Sequence, residues 1–226
     1  MKNLNIYIHE KLNIVHKSYN CVPQTKEELI KIIKERLKED PDADLNDIDV
    51  SNITDMSYLF RYLDPHNIDI SKWDVSNVEN MRAMFWNCEN FNSDLSGWDV
   101  SNTKDIYGMF AYCSNFNSDL SAWNISKVKD IRGMFFRCKQ FTSDLSDWDV
   151  SHIKDMNSMF NGCIKFNSDL SGWDVLEVKD MSYMFVGCKN FNSDLSKWDV
   201  SNVENISYMF NDCDSMKKLP EWYIEQ

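Results

Sequence analysis

Residues 91–115 read FNSDLSGWDVSNTKDIYGMFAYCSN, and this string decides the architecture because it recurs. Further units begin at Phe116, Phe141, Phe166 and Phe191. Tryptophan falls at Trp73, Trp98, Trp123, Trp148, Trp173 and Trp198, always 25 residues apart. Cysteine keeps the same step from Cys88 to Cys213, and phenylalanine from Phe60 to Phe210. A shortened relative, LNDIDVSNITDMSYLF, opens the array at residues 45–60. A degenerate unit, RYLDPHNIDISKWDVSN, follows it, and the pattern fades in MKKLPEWYIEQ. Atypical end units are what a stacked array needs, because each end has a neighbour on one side only.

Two periodicities are legible inside the unit. Leu95-x-x-Trp98-x-Val100 alternates at its end, which predicts a short strand with one buried face. Ile106, Met109, Phe110 and Cys113 step by three and four, which predicts a short helix with an apolar stripe. Asn102, with Asp105 three residues on, reads as the helix start. Neither element can bury its apolar side alone. The expected fold is therefore α/β: a leucine-rich-repeat-like right-handed solenoid, with a parallel sheet on one face and short helices on the other. About seven units fill residues 45–213, and residues 214–226 form a C-terminal cap.

Residues 1–44 stand outside the repeat and read as a small α/β N-terminal cap. Leu4, Ile6 and Ile8 alternate, as do Leu12 and Ile14, which predicts two strands. Thr25 with Glu28 forms a capping box. Leu29, Ile33 and Leu37 place an apolar stripe on a helix from about 26 to 39.

Charge narrows the function. The chain has 24 basic and 36 acidic residues, for a net charge of -12. Nucleic acids and anionic membranes need clustered cations, so direct nucleic-acid binding and membrane insertion are not expected. No signal-peptide pattern is seen in MKNLNIYIHEKLNIVHKSYN, and Cys21 lacks a lipobox context, so a cytoplasmic location is expected. Cell-surface display or secretion is the alternative, if a leader was removed.

The columns admit chemical and structural readings. Each cysteine lies alone in its unit on the apolar stripe, without CxxC or paired histidines, so zinc spacing is absent. The tryptophans are in phase with Leu95 and Val100 and are expected inside; exposed rings would instead offer a carbohydrate platform. One aspartate column runs from Asp94 to Asp194, and another from Asp74 to Asp199, interrupted by Asn124. Asp accepts backbone amides in tight turns, and Asn124 shows that its column tolerates neutrality. Calcium would need several oxygens per ion. No cofactor and no metal is expected. His9, His16, His66 and His152 are scattered among different segments, and no catalytic constellation appears, so an enzyme is not expected.

The stretches WDVSNVENMRAMFWNCENFNSDLSGWDVSN and DMSYMFVGCKNFNSDLSKWDVSN resemble the BspA-like leucine-rich-repeat family, in its branch of mycoplasma-type surface lipoproteins. TKEELIKIIKERLKEDPDADLNDIDVSNITDMSYLF and LPEWY resemble that family's flanking caps. The resemblance covers roughly residues 20–226. It implies a leucine-rich-repeat solenoid and a surface or adhesin role. The expected function is a protein-interaction module, adhesin-like or host-interacting, that binds through a concave strand face. Its candidate residues are Lys72, Asp74, Asp99, Asn124, Asp147, Asp149, Asp174, Lys197 and Asp199. Alternatives are an acidic mimic of nucleic acid and a polysaccharide-binding solenoid. Positions on the helix side, among them Arg82, Tyr107, Arg132, Asn157, Ser182 and Ser207, also vary between units. End-to-end pairing of edge units would allow an oligomer.

Overall fold

Tight turns, rather than strands and helices, build each unit. The computed structural model describes residues 20–63 and 65–224; the two strands expected before residue 15 lie outside them. Among the described residues there is one helix, α1, spanning Lys26–Glu39. There is no sheet. Parallel pairing is reduced to isolated single-residue bridges, such as Asn80 to Asp105 and Asp105 to Asp130. The expected solenoid with a parallel sheet on one face and helices on the other is therefore corrected.

The reason lies in where the amides of residues 106–113 go. The amides of Ile106, Gly108, Phe110 and Tyr112 donate forward to Asp130, Arg132, Met134 and Phe136 of the next unit. Those between them, of Met109, Ala111 and Cys113, donate back three residues to Ile106, Gly108 and Phe110. An α-helix needs consecutive amides bonded four residues back, and here none in the segment is. Gly108 (φ 55) and Tyr112 (φ 65) are left-handed, which turns the chain twice and frees the alternate amides for the neighbour. The three-and-four apolar spacing is satisfied all the same, because Ile106, Met109, Phe110 and Cys113 all point inward and are buried.

The expected strand fails for a related reason. Trp98 N–H closes a turn on Leu95 O at 3.1 Å, and Thr103 N–H closes another on Val100 O at 2.9 Å. Asp94 Oδ1 accepts the Ser96 amide at 2.9 Å and Asp99 Oδ1 accepts the Ser101 amide at 3.0 Å. These side chains stabilise local turns in competition with an extended ladder.

Side chains lock the units together. Each column tryptophan is 4% exposed, and its indole N–H donates to a carbonyl 28 residues back, as Trp98 does to Ile70 O at 3.1 Å. Each thiol from Cys88 to Cys213 donates to a phenylalanine carbonyl in the preceding unit, as Cys113 does to Phe85 O at 3.0 Å. Phe85 stacks on Phe110 at 5.6 Å and on Phe91 at 3.9 Å, and the pattern repeats along the chain. Burying one such ring contributes about 1.5–3 kcal/mol.

The ends close the core. Thr25 caps α1 by accepting the Glu28 amide at 3.2 Å, while the Glu28 carboxylate accepts the Gln24 amide at 2.7 Å. Leu29 and Ile33 of α1 are fully buried against the first turns. Arg36 meets Asp47 at 2.9 Å and Lys26 meets Asp55 at 3.1 Å, which tie the helix to the array. At the other end Trp222 extends the tryptophan column, 6.3 Å from Trp198 and donating to Leu195 O.

Candidate functional site: an arginine and aromatic face

The same alternation that prevents a helix also builds a face. Inward positions such as Ile106, Met109, Phe110 and Cys113 keep their residue type from unit to unit. Positions 107, 108 and 112, with the equivalents of 111 in other units, vary, and the long side chains they carry are half-buried or exposed. In the first units they carry Tyr58, Arg61, Tyr62, Arg82, Trp86, Tyr107, Tyr112, Arg132, Phe136 and Arg137. The chain has five arginines, and every one except Arg36 stands here. An acidic protein has thus gathered its guanidinium groups among its surface rings.

The cluster is held rigidly. Trp86 stacks on Tyr107 at 6.3 Å with an interplanar angle of 16°. It also packs against Tyr112 at 5.7 Å, which in turn meets Phe136 at 5.1 Å. Arg82 lies 3.9 Å from the centre of the Tyr107 ring, and Arg132 lies 5.3 Å from the same ring. Arg61 sits over Tyr58, Tyr62 and Trp86 at 4.7–5.8 Å. Arg137 sits 5.6 Å from both Tyr112 and Phe136. Such cation–π contacts contribute about 0.5–1 kcal/mol each at exposed sites and fix the direction of each fork.

A third acidic column anchors two of these arginines. Arg132 bonds Asp130 at 2.6 Å and approaches Asp155 at 3.8 Å. Arg82 bridges Asp105 at 3.3 Å and Asp130 at 3.5 Å. Burial pushes the Asp130 carboxyl up, but the Arg132 guanidinium and its neighbours outweigh this and hold it below the usual range. Asp155 goes the other way: burial and then the nearby Asp180 raise it, despite Arg132. Among the described residues Arg61 and Arg137 have no carboxylate partner, and both are exposed.

Trp86, Tyr107, Tyr112, Arg132, Gly133, Phe136, Asn157 and Ser158 line a cleft of about 250 Å³, and Arg61 and Arg137 lie against three of its rings, Trp86, Tyr112 and Phe136. A larger cleft of about 620 Å³ runs along Lys104, Lys127, Lys129 and Lys154. Its rim is long flexible lysines without an aromatic wall, and Lys104 is already paired with Glu79 at 2.8 Å. Ordering such side chains costs more entropy than using forks already stacked on rings.

The residues expected to bind lie elsewhere. Lys72, Asp74, Asp99, Asn124, Asp147, Asp149, Asp174, Lys197 and Asp199 are all exposed, but on turn corners rather than on a strand face. Asp74, Asp99, Asn124, Asp149, Asp174 and Asp199 each commit Oδ1 to the amide two residues on. Lys72 uses its own amide on Asn46 Oδ1 at 2.8 Å. A nucleic-acid mimic would need these carboxylates free, and their first role is to fold their own turns. The buried indoles remove the tryptophan column as a carbohydrate platform. Among the described residues no group of three or more His, Cys, Asp and Glu is placed to hold a metal ion. No helix there is long and apolar enough to cross a membrane.

The family model described as "Mycoplasma protein of unknown function, DUF285" matches residues 30–147 and again residues 129–226. No curated protein and no solved structure matches the chain.

Proposed function

We propose that this chain, which belongs to the DUF285 family of mycoplasma proteins, is a non-catalytic repeat module that docks a protein partner on its arginine and aromatic face. One observation carries the reading: four arginines and six aromatic rings form an interlocked patch on a chain whose net charge is -12. Trp, Tyr and Arg are the residues that dominate binding energy at protein interfaces. Their stacking also lowers the entropy lost when a partner lands. The resemblance of the WDVSN motifs to BspA-like proteins supports an interaction role. The seven cysteines are free, which suits a reducing compartment, and we place the partner in the cytoplasm.

Quantitative capture from mycoplasma lysate tests the docking face. A partner should be lost with R61A/R137A and retained with D147N/D149N/D174N. The reverse result would return docking to the acidic turn corners. Protease shaving of intact cells checks the location; surface cleavage would favour the adhesin-like role instead.

A further inference from the structure

We infer that the lysine cleft is a second site, which binds a compact, freely diffusing phosphate anion. None of its lining residues belongs to the docking face. Lys104, Lys127, Lys129 and Lys154 line this cleft of about 620 Å³, with Ser126 and His152 beside them. Three of the lysines share one column, which reads Glu79, Lys104, Lys129, Lys154, Lys179 and Glu204 in successive units. The Lys129 amide donates to Lys104 O, and the Lys179 amide to Lys154 O, each at 2.7 Å. Chains bonded in this way lie about 4.8 Å apart, so the lysine stems rise in one close row. The ends of the row are neutralised: Lys104 meets Glu79 at 2.8 Å and Lys179 meets Glu204 at 3.7 Å. Between them, Lys129 and Lys154 make no ion pair among the described residues. Nor does Lys127, whose Nζ donates to the neutral Asn102 Oδ1 at 2.6 Å.

A second feature points to the same place. In the aspartate column from Asp74 to Asp199 the one uncharged member is Asn124. Its Oδ1 accepts the amide of Ser126, on the cleft wall, at 3.1 Å. In other units Ser76 and Ser151 also donate their hydroxyls, to Asp74 at 2.6 Å and Asp149 at 2.7 Å. At Asn124 only the amide bond forms among the described residues, which leaves the Ser126 hydroxyl for a ligand. Negative charge is thus missing from this column where the lysines stand unpaired. An ammonium group is a point charge on a flexible stem, and several of them can close on the oxygens of one phosphate. An anion set among them also offsets the repulsion between like charges one unit apart. Asp99 and Asp149 resume the negative column one unit to each side, and Glu79 and Glu204 close the lysine row. A long polyanion such as a nucleic acid would run into these carboxylates, whereas a compact anion would not.

Isothermal titration of the full chain with sodium pyrophosphate, in a buffer free of magnesium and phosphate, tests the site. Pyrophosphate should bind saturably, and K129Q/K154Q should weaken it about tenfold or more. K34Q/K38Q removes the same charge from exposed positions on α1 and should have no effect. N124D should weaken binding severalfold, because it returns a carboxylate to the cleft wall. The fold should tolerate it, since Asp99 accepts the Ser101 amide in the same way. R61A/R137A should leave pyrophosphate binding unchanged, which separates this site from the docking face. All of these positions are exposed, and an unchanged thermal midpoint shows that each variant is folded. No binding at millimolar pyrophosphate would overturn the inference. So would equal losses in K129Q/K154Q and K34Q/K38Q, which would mean attraction to overall charge. Equal affinity for an oligothymidylate would overturn the compact ligand in favour of an open polyanion strip.

Discussion

The indole of Trp86 lies directly over Gly108, so closely that a methyl group on that glycine would stand 2.7 Å from Cζ3 and 2.9 Å from Cε3. Gly108 also has a φ of 55, so two constraints meet at one residue. Gly108→Ala should expel the ring and cost about 1–2 kcal/mol from the left-handed backbone. Acrylamide quenching of tryptophan fluorescence should rise in this variant. In a Trp86→Phe background the same substitution should leave quenching unchanged.

Trp123 joins two units, because its ring is buried and its Nε1–H donates to Leu95 O at 3.0 Å. Trp123→Ala should lower stability by about 3–5 kcal/mol, from lost packing and the cavity left behind. Trp123→Phe keeps a ring but leaves the carbonyl without its partner, for a loss of about 1–3 kcal/mol. Urea midpoints for the two variants should fall in that order. Equal losses would mean that the hydrogen bond, not the packing, dominates.

Asp155 gives a pH signature. Its carboxyl is raised by burial and by Asp180, so its charge opposes folding at neutral pH. Asn80 and Asn205 occupy the same column in other units and still accept the amide two residues on. Asp155→Asn should therefore raise the melting temperature at pH 7. The gain should shrink as pH falls through the raised folded value toward the unfolded value of about 3.9. Asp94, Asp119, Asp144 and Asp169 behave oppositely. Hydrogen bonds from Ser96, Ser121, Ser146 and Ser171 depress them, with Ser168 and Ser193 adding to Asp144 and Asp169. Their contribution is present above about pH 4 and is lost as pH falls through the depressed folded values. Melting curves across pH 3–7 for both proteins separate the two effects.

The thiols should divide into two classes. Cys88, Cys113, Cys138, Cys163 and Cys188 are buried, and burial pushes Cys138, Cys163 and Cys188 well above the ordinary thiol range. Cys213 is half-buried and pushed up to about 12, mainly by the same desolvation. Cys21 is half-buried and lies outside the packed column. At pH 8 a disulfide reagent should label Cys21 first and Cys213 slowly. The other five should react only after denaturant is added. Rapid labelling of any of those five in the native protein would contradict the packed column.

Much of this was legible in the sequence. α1 was, because Thr25, Glu28, Leu29 and Ile33 carry capping and burial signals that no other structure satisfies together. The buried columns were too, because Phe, Met, Trp and Cys recur only where the chain faces inward. The secondary structure of the unit was not. Spacing of three and four between Ile106, Met109, Phe110 and Cys113 fits a helix and a run of three-residue turns equally well. The discriminating signal was glycine: Gly108, Gly133, Gly162 and Gly187 all have positive φ, in the two columns that a helix would forbid to bend that way. The proposed docking face was half visible. Arg82, Tyr107 and Arg132 stood out as variable positions, but Trp86 fell outside every regular column. Its partnership with Tyr112 and Arg61 depends on turns that the periodicity does not reveal.

The forward-donating amides of each unit have one further consequence. Because residue 106 bonds to residue 130 and residue 108 to residue 132, every unit offers its successor the same set of docking points. A gene that gains or loses one 25-residue segment would preserve the fold while moving Arg61 and Arg137 apart or together by one whole step. Distances on the outer face are thereby quantised, like marks on a ruler. A change in the unit count would shift that spacing without altering any single unit.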